Sequence, residues 1–294
     1  MISEDFKLKI LEAIRKDREL FDGSDAMYAT RIGISPSQYS RISNGETDKV
    51  ISDAKWYSIA QQLWVRLSPH PDWKTANTPI FQYIITQLET CQKQSFSSML
   101  CDLSDIGKSY TARYYARNHK NVIYVDCSQA KSKQRLIRSI AKEFGVDANG
   151  RYADVYENLI NHLKTLQNPL IILDEAGDLQ YEAFLEIKAL WNAYEGCAYY
   201  MIGADGLKEK IRRNIEHKKV GYTELFSRFG KRYGSASDAI QKELPTDLFT
   251  LTATQIIKAN LIAGDVNVIL NKIIGEDGRP SLRRIYVELT KTQL

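Results

Sequence analysis

The hydrophobic pattern changes period along this chain. Residues 3 to 21, "SEDFKLKILEAIRKDRELF", place Phe6, Ile10, Leu11 and Ile14 at helical spacing. The next stretch, "SDAMYATRIGISPSQYSRISNG", predicts a short helix from Ala26 to Ile32, ended by Gly33. Glycine takes the left-handed conformation that closes a helix. Ile34 is then buried at the turn, Ser35 caps a second helix, and Pro36 suits its first turn. That helix runs to about Asn44, where Gly45 stops it. Three prolines in "LSPHPDWKTANTP", residues 67 to 79, make a helix improbable and mark a linker.

Beyond the linker, helical and apolar strand-like segments alternate. "IFQYIITQLETCQKQ" is an amphipathic helix and "SFSSMLCD" a buried strand. "SYTARYYARNH" predicts a helix, "NVIYVDC" a β-branched strand, and "SKQRLIRSIAKEFG" a helix ending at Gly145. A helix over "RYADVYENLINHLKTLQ" breaks at Asn168 and Pro169, before the apolar run "LIILDEAGDL". "YEAFLEIKALWNAYEG" and "CAYYMIGAD" add one more helix and one more strand. Strands alternating with helices predict a parallel sheet. The expected fold class is therefore α/β, preceded by an all-α block.

Composition changes this picture little. The 294 residues are 44% hydrophobic and 26% charged, an ordinary soluble balance. No apolar run approaches the ~20 residues of a membrane span. The acidic start "MISEDFKLKI" is no signal peptide. Four scattered cysteines without a C-x-x-C pair predict reduced thiols and a cytoplasmic protein without a membrane partner.

The chemistry begins at "CDLSDIGKSYTARYYAR", residues 101 to 117. It nearly spells the phosphate-binding pattern G-x-x-x-x-G-K-[ST]. Gly107, Lys108 and Ser109 fill its end, while Asp102 stands at the first glycine and Asp105 inside the loop. A strand before the loop and a helix after it is the context such a loop needs. The expected nucleotide contacts are Asp102, Asp105, Ile106, Gly107, Lys108, Ser109 and Tyr110. Backbone amides would face the phosphates, Lys108 would reach the same oxygens, and Ser109 would ligate magnesium. Asp tolerates left-handed backbone, so both acids can keep the loop's shape. Their charges would still repel phosphates, by about 3 kcal/mol at ~6 Å before screening. ATP binding is therefore expected to be weak in the monomer and strong only in an assembly.

"LIILDEAGDL" ends an apolar strand in two acids, the Walker B pattern. Asp174 would bind magnesium, and Glu175 would orient or deprotonate the attacking water. The whole order, residues 78 to 294, resembles the AAA+ ATPases. That resemblance implies further roles. Asp205, at the end of the next strand, would sense the γ-phosphate. Arg228 in "ELFSRFGKRY" would be an arginine finger offered to the neighbouring subunit. Arg283 in "GRPSLRRIYVELT" would be the lid arginine. The expected division is a helix-turn-helix domain at 1–70, a linker at 71–79, an AAA+ core at 80–235 and a helical lid at 236–294.

The first block resembles repressor-type helix-turn-helix domains, whose second helix enters the major groove. By position Ser37, Gln38 and Arg41 would face DNA. This block holds about as many acids as bases, so a protein-contact role stays open. The phrase "TANTPIFQYIITQLETCQ" looks like the opening segment of the family of phage Mu transposition protein B and related transposon regulators. That family implies ATP-dependent assembly as filaments on double-stranded DNA and delivery of target DNA to a transposase. Basic residues cluster at 206–234 and again at Lys131, Lys133, Arg135 and Arg138. Lys131, Lys133 and Arg135 are the expected DNA-facing set, holding phosphates without reading sequence. Three alternatives remain at this level: a helix-turn-helix transcription regulator, a helicase loader, and an adaptor that binds nucleotide without hydrolysing it.

Overall fold

The computed structural model describes residues 2–65, 73–243 and 247–292. The end of the expected first domain (66–70) and the first two linker positions (71 and 72) lie outside the described residues.

Four helices open the chain: α1 (Glu4–Glu19), α2 (Asp25–Ile32), α3 (Pro36–Ser43) and α4 (Asp53–Gln62). They close around one core that includes Ile10, Ile14, Tyr28, Ile32, Ile42 and Trp56, all buried. Gly33 sits at φ 72° between α2 and α3, as a turn of two closely spaced helices requires. Ser35 caps α3 in a reciprocal capping box with Gln38.

The middle of the chain alternates as α5 (Pro79–Gln94), β1 (Ser98–Cys101), α6 (Lys108–Asn118), β2 (Val122–Asp126), α7 (Lys133–Glu143) and α8 (Tyr152–Leu163). It continues with β3 (Leu170–Asp174), α9 (Tyr181–Ala193), β4 (Ala198–Gly203), α10 (Asp205–Glu216) and α11 (Tyr222–Arg228). The four strands are parallel, in the order β1-β4-β3-β2. β3 and β4 are buried at every position, because helices cover both faces of the sheet. Alternate strand residues feed two cores. Met99, Val125, Leu173 and Met201 face α7, α8 and α9. Leu100, Ile172, Tyr200 and Ile202 face α5 and α6. Beyond β1, Gly234 exchanges backbone hydrogen bonds with Met99 and Cys101, at 2.8 Å each, and widens the sheet by one short bridge.

Four more helices follow: α12 (Ala236–Glu243), α13 (Leu248–Asn260), α14 (Val266–Ile273) and α15 (Leu282–Thr292). Ala253, Ile257, Ile269, Ile273, Ile285 and Leu289 form a separate small core for the last three. α12 does not share it. Ala236 and Ile240 pack into the α5–α6 side of the sheet, so this helix, expected in the lid, is built into the central core.

The N-terminal helices rest on the edge of the sheet domain. Arg31 Nε lies 3.7 Å from Glu143 of α7, and Asn121 donates to Asp22 at 2.8 Å. A Cβ at Gly145 would stand 2.6 Å from the Met27 carbonyl, so this close approach requires glycine.

Candidate nucleotide-binding site

The loop between β1 and α6 and the acids after β3 meet at the C-terminal ends of the parallel strands, where ligands of open α/β sheets bind. Two left-handed residues shape the loop: Asp105 at φ 61° and Gly107 at φ 93°. Asp105 thus adopts the conformation usually left to glycine. Asp102 has no positive φ and holds its place by a different means.

Asp102 is buried. Its carboxylate accepts the backbone N–H of Leu103 at 2.7 Å, and the N–H and hydroxyl of Ser237 at 2.8 and 2.5 Å. Asp105 turns toward the C-terminal helices. It accepts the Ser281 hydroxyl at 2.6 Å and the Arg283 N–H at 3.1 Å, capping the first turn of α15. This corrects the expectation that both carboxylates stand open beside a polyanion. Each is hydrogen-bonded to a residue more than a hundred positions away, and Asp102 is removed from solvent.

Lys108 is buried, and its ammonium donates to the Asp102 carbonyl at 2.8 Å and to the Leu103 carbonyl. Burial lowers its pKa, while Asp102, Asp174 and Glu175 oppose that shift. The lysine therefore sits within electrostatic reach of both Walker B acids. Ser109 follows it in the first turn of α6, and Ile106 is buried beneath the loop. The Tyr110 hydroxyl meets Thr75 Oγ1 at 2.7 Å. That ties the segment before α5 to the site, and the same segment exchanges hydrogen bonds with Asn260 of the lid at 2.7 and 2.9 Å.

Asp174 ends β3 and is buried. Its Oδ1 accepts the Glu175 N–H at 2.9 Å, and its Oδ2 accepts the Tyr124 hydroxyl at 2.7 Å. Glu175 takes a left-handed turn at φ 50° and projects to the surface of the site. Desolvation, then Asp174, raise its carboxyl above the usual range, while Lys108 counteracts. The 3-10 turn after it, Ala176–Asp178, is pinned by Lys210, whose ammonium donates to the Gly177 and Leu179 carbonyls at 2.7 and 2.6 Å.

These donors fit ATP with magnesium. Hard oxygens suit the ion, and one hydroxyl with one buried carboxylate is the protein share it takes when phosphates supply the rest. Among the described residues no three His, Cys, Asp or Glu side chains cluster into a self-sufficient metal cage.

The remaining expected residues divide. Arg283 is brought to the loop, with Nε 3.9 Å from Asp105 and an exposed side chain, and Leu282 next to it lies over Gly107. Asp205 and Lys208 join Lys108 and Asp102 in the field around Cys101, at the same end of the sheet, where burial pushes that thiol up to about 12. Arg228 is away from these contacts. It donates to Asn192 at 3.0 and 2.6 Å and stacks on Trp191, 5.0 Å from the ring centre.

The expected DNA-facing residues are also unequal. Lys131 pairs with Asp178 at 2.8 Å, Lys133 lies over Tyr152, and Arg135 is exposed. On α3, Ser37 is exposed and Arg41 pairs with Glu46 at 2.8 Å. Gln38 departs from expectation. Its side-chain oxygen accepts the Ser35 N–H at 3.0 Å in the capping box, and its NH2 donates to the Val50 carbonyl at 3.3 Å, which leaves one amide N–H uncommitted. A groove of about 550 Å³ is lined by Lys210, Arg213 and Lys219 with Tyr181 and Tyr222.

Against known proteins, residues 97–211 match the AAA domain family. This chain carries an AAA+ domain. The match takes in the loop, Asp174, Glu175 and Asp205, and ends before Arg228, Ser237 and Arg283. The chain is similar to Mu-like prophage FluMu DNA transposition protein B of Haemophilus influenzae, at 26% identity over 171 residues. The likeness spans 58% of this chain and 57% of that relative. A solved structure of the Aeropyrum pernix ORC1 protein in complex with DNA aligns over 78% of this chain and 69% of its own, at 16% identity and TM-score 0.42.

Reading the sequence did not find Tyr124, Ser237 or Ser281, and it placed Lys210 only in the basic cluster at 206–234. Only Tyr124 left a signal, as the one aromatic in the strand "VIYVD" whose last residue pairs with Asp174 across the sheet.

Proposed function

We propose that this chain is an ATP-hydrolysing, DNA-bound AAA+ regulator of transposition. It would assemble as a homo-oligomer on double-stranded DNA with ATP and magnesium, deliver target DNA to a transposase and stimulate it. The observation that carries the nucleotide chemistry is the placement of Lys108, after β1, and of Asp174 and Glu175, at the end of β3, at one end of a parallel sheet. The biological role rests on the relative's name, DNA transposition protein B.

Lys108 would exchange its two loop carbonyls for phosphate oxygens, which are stronger acceptors for a desolvated ammonium. Magnesium, when bound, would neutralise charge between the phosphates. Glu175 would orient the attacking water and take its proton, a role helped by a carboxyl raised toward neutral pH. Arg228, on an outer helix, would be released from Asn192 to reach a neighbour's site. Arg135 and the groove of Lys210, Arg213 and Lys219 offer cations to a phosphate backbone.

The test is purified protein mixed with random-sequence duplex, imaged by electron microscopy with and without ATP and magnesium. Filaments or rings confined to the ATP sample are expected, with Lys108→Ala abolishing them. Glu175→Gln should retain nucleotide and cut turnover by roughly 100-fold or more. Identical particles in every condition would overturn the reading.

A further inference from the structure

The buried Asp174 is gripped by one side chain among the described residues, the Tyr124 phenol at 2.7 Å. Tyr124 comes from β2, which runs parallel to β3 with Asp126 opposite Asp174. The phenol is therefore offset by one pleat and reaches the carboxylate along the same face. Its ring is in turn covered by Arg113 of α6, whose guanidinium lies 5.3 Å from the ring centre. α6 is the helix that begins at Lys108. On its other side Arg113 lies 4.4 Å from the ring centre of Trp64, and Arg117 of the same helix lies 5.1 Å from it. Arg113 Nε is buried without a hydrogen-bond partner among the described residues, and the guanidinium is held by its place against Trp64 and by its charge and hydrogen bond to the Tyr124 phenol. Trp64 comes two residues after the end of α4 and takes a left-handed backbone, φ 58°, that costs energy for a bulky residue. With that backbone the indole lies against α6.

We propose that Tyr124 is a positioning residue for Asp174, and that Trp64 and Arg113 brace it, so that docking of the N-terminal helices tunes magnesium affinity at the nucleotide site. The physical reason is orientation. A carboxylate fixed by a neutral donor keeps one oxygen turned to the metal, and loss of such an outer partner typically costs 10–100-fold in metal affinity. A partner bound to the N-terminal helices that shifts Trp64 would act on Asp174 through two stacked contacts and one hydrogen bond. This inference rests on the reading of the site as one for magnesium and ATP.

The experiment is anisotropy of a fluorescent ATP analogue titrated with the full chain, first without magnesium and then against free magnesium. Tyr124→Phe should leave magnesium-free binding unchanged and raise the half-saturating magnesium about ten-fold. Trp64→Ala, on a side chain 49% exposed, should shift it in the same direction by less, and should add nothing to Tyr124→Phe. A purely structural role for Tyr124 would instead lower the Tm and weaken binding with and without magnesium alike. If Tyr124→Phe does not fold, Trp64→Ala and Arg113→Met carry the test. An unchanged magnesium midpoint in the folded variants overturns the proposal. Absence of nucleotide binding by the unmodified chain, both without and with magnesium, overturns the nucleotide reading itself, and the titrations of that chain alone reveal it.

Discussion

Asp102 in the phosphate loop and Ser237 at the start of α12 are bound to each other by two hydrogen bonds, 2.8 and 2.5 Å, across 135 residues of chain. The acid at the first-glycine position is thus a fastener between loop and α12. Asp102→Ala would leave a buried N–H and hydroxyl without acceptors, costing about 3 kcal/mol and lowering the Tm by roughly 6–12 °C. Ser237→Ala removes only the hydroxyl and should cost about 1 kcal/mol. Thermal melts of both variants check this, and an Asp102→Ala melt within ~2 °C of the unmodified chain would refute the fastening role.

Asp105 combines a cap on α15 with a negative charge near the phosphate position. Asp105→Ala should lose about 1 kcal/mol of lid stability from the missing cap. It should also bind ATP about five-fold more tightly, since roughly 1 kcal/mol of repulsion survives screening. Weaker binding, measured by the same nucleotide titration, would mean that lid docking outweighs the charge.

Arg31 joins Asp17 at 3.0 Å and Glu143 at 3.7 Å, with little solvent around any of them. Arg31→Ala leaves two acids without their shared cation, at a cost of about 3 kcal/mol. Lys120→Ala, which removes an exposed partner of Asp22, should cost under about 0.5 kcal/mol. Urea melts followed by circular dichroism separate the two, and equal midpoints would contradict this ranking.

His162 of α8 packs T-shaped with Phe144 at the end of α7, and burial depresses its pKa below 6.5. The unfolded chain then takes up a proton before the folded one does. Stability should fall as pH drops below about 6.5, because protons favour the state that binds them. His162→Gln should flatten the Tm profile between about pH 7 and 5.5. An unaltered slope in that variant would assign the loss to other groups.

Arg228 is anchored on Asn192, on Trp191 and on the Glu224 carbonyl of its own helix. Arg228→Ala should leave ATP affinity of the isolated chain unchanged and reduce DNA-stimulated turnover by about 1000-fold. Mixing it with Glu175→Gln chains should restore some turnover if the arginine acts across subunits. No restoration, with stable mixed assemblies, would count against that role.

The sequence by itself determined the local chemistry. Helical spacing at Phe6, Ile10, Leu11 and Ile14, the glycine stop at Gly33 and the Ser35 cap made the first helices legible, because those signals act within a few residues. The same holds for the Gly-Lys-Ser at 107–109 and the Asp-Glu at 174–175, whose strand and helix context follows from the hydrophobic pattern. Only the tertiary structure decided where the side chains of those motifs spend their hydrogen bonds. Asp102 and Asp105 look like a damaged phosphate site in one dimension and serve as ties to Ser237, Ser281 and α15 in three. Gln38 looks like a reader of bases and closes its own cap. Tyr124 reaches Asp174 from 50 residues away. A carboxylate or amide takes whichever donor or acceptor packing brings within about 3 Å. That choice is set by chain crossings no local pattern encodes.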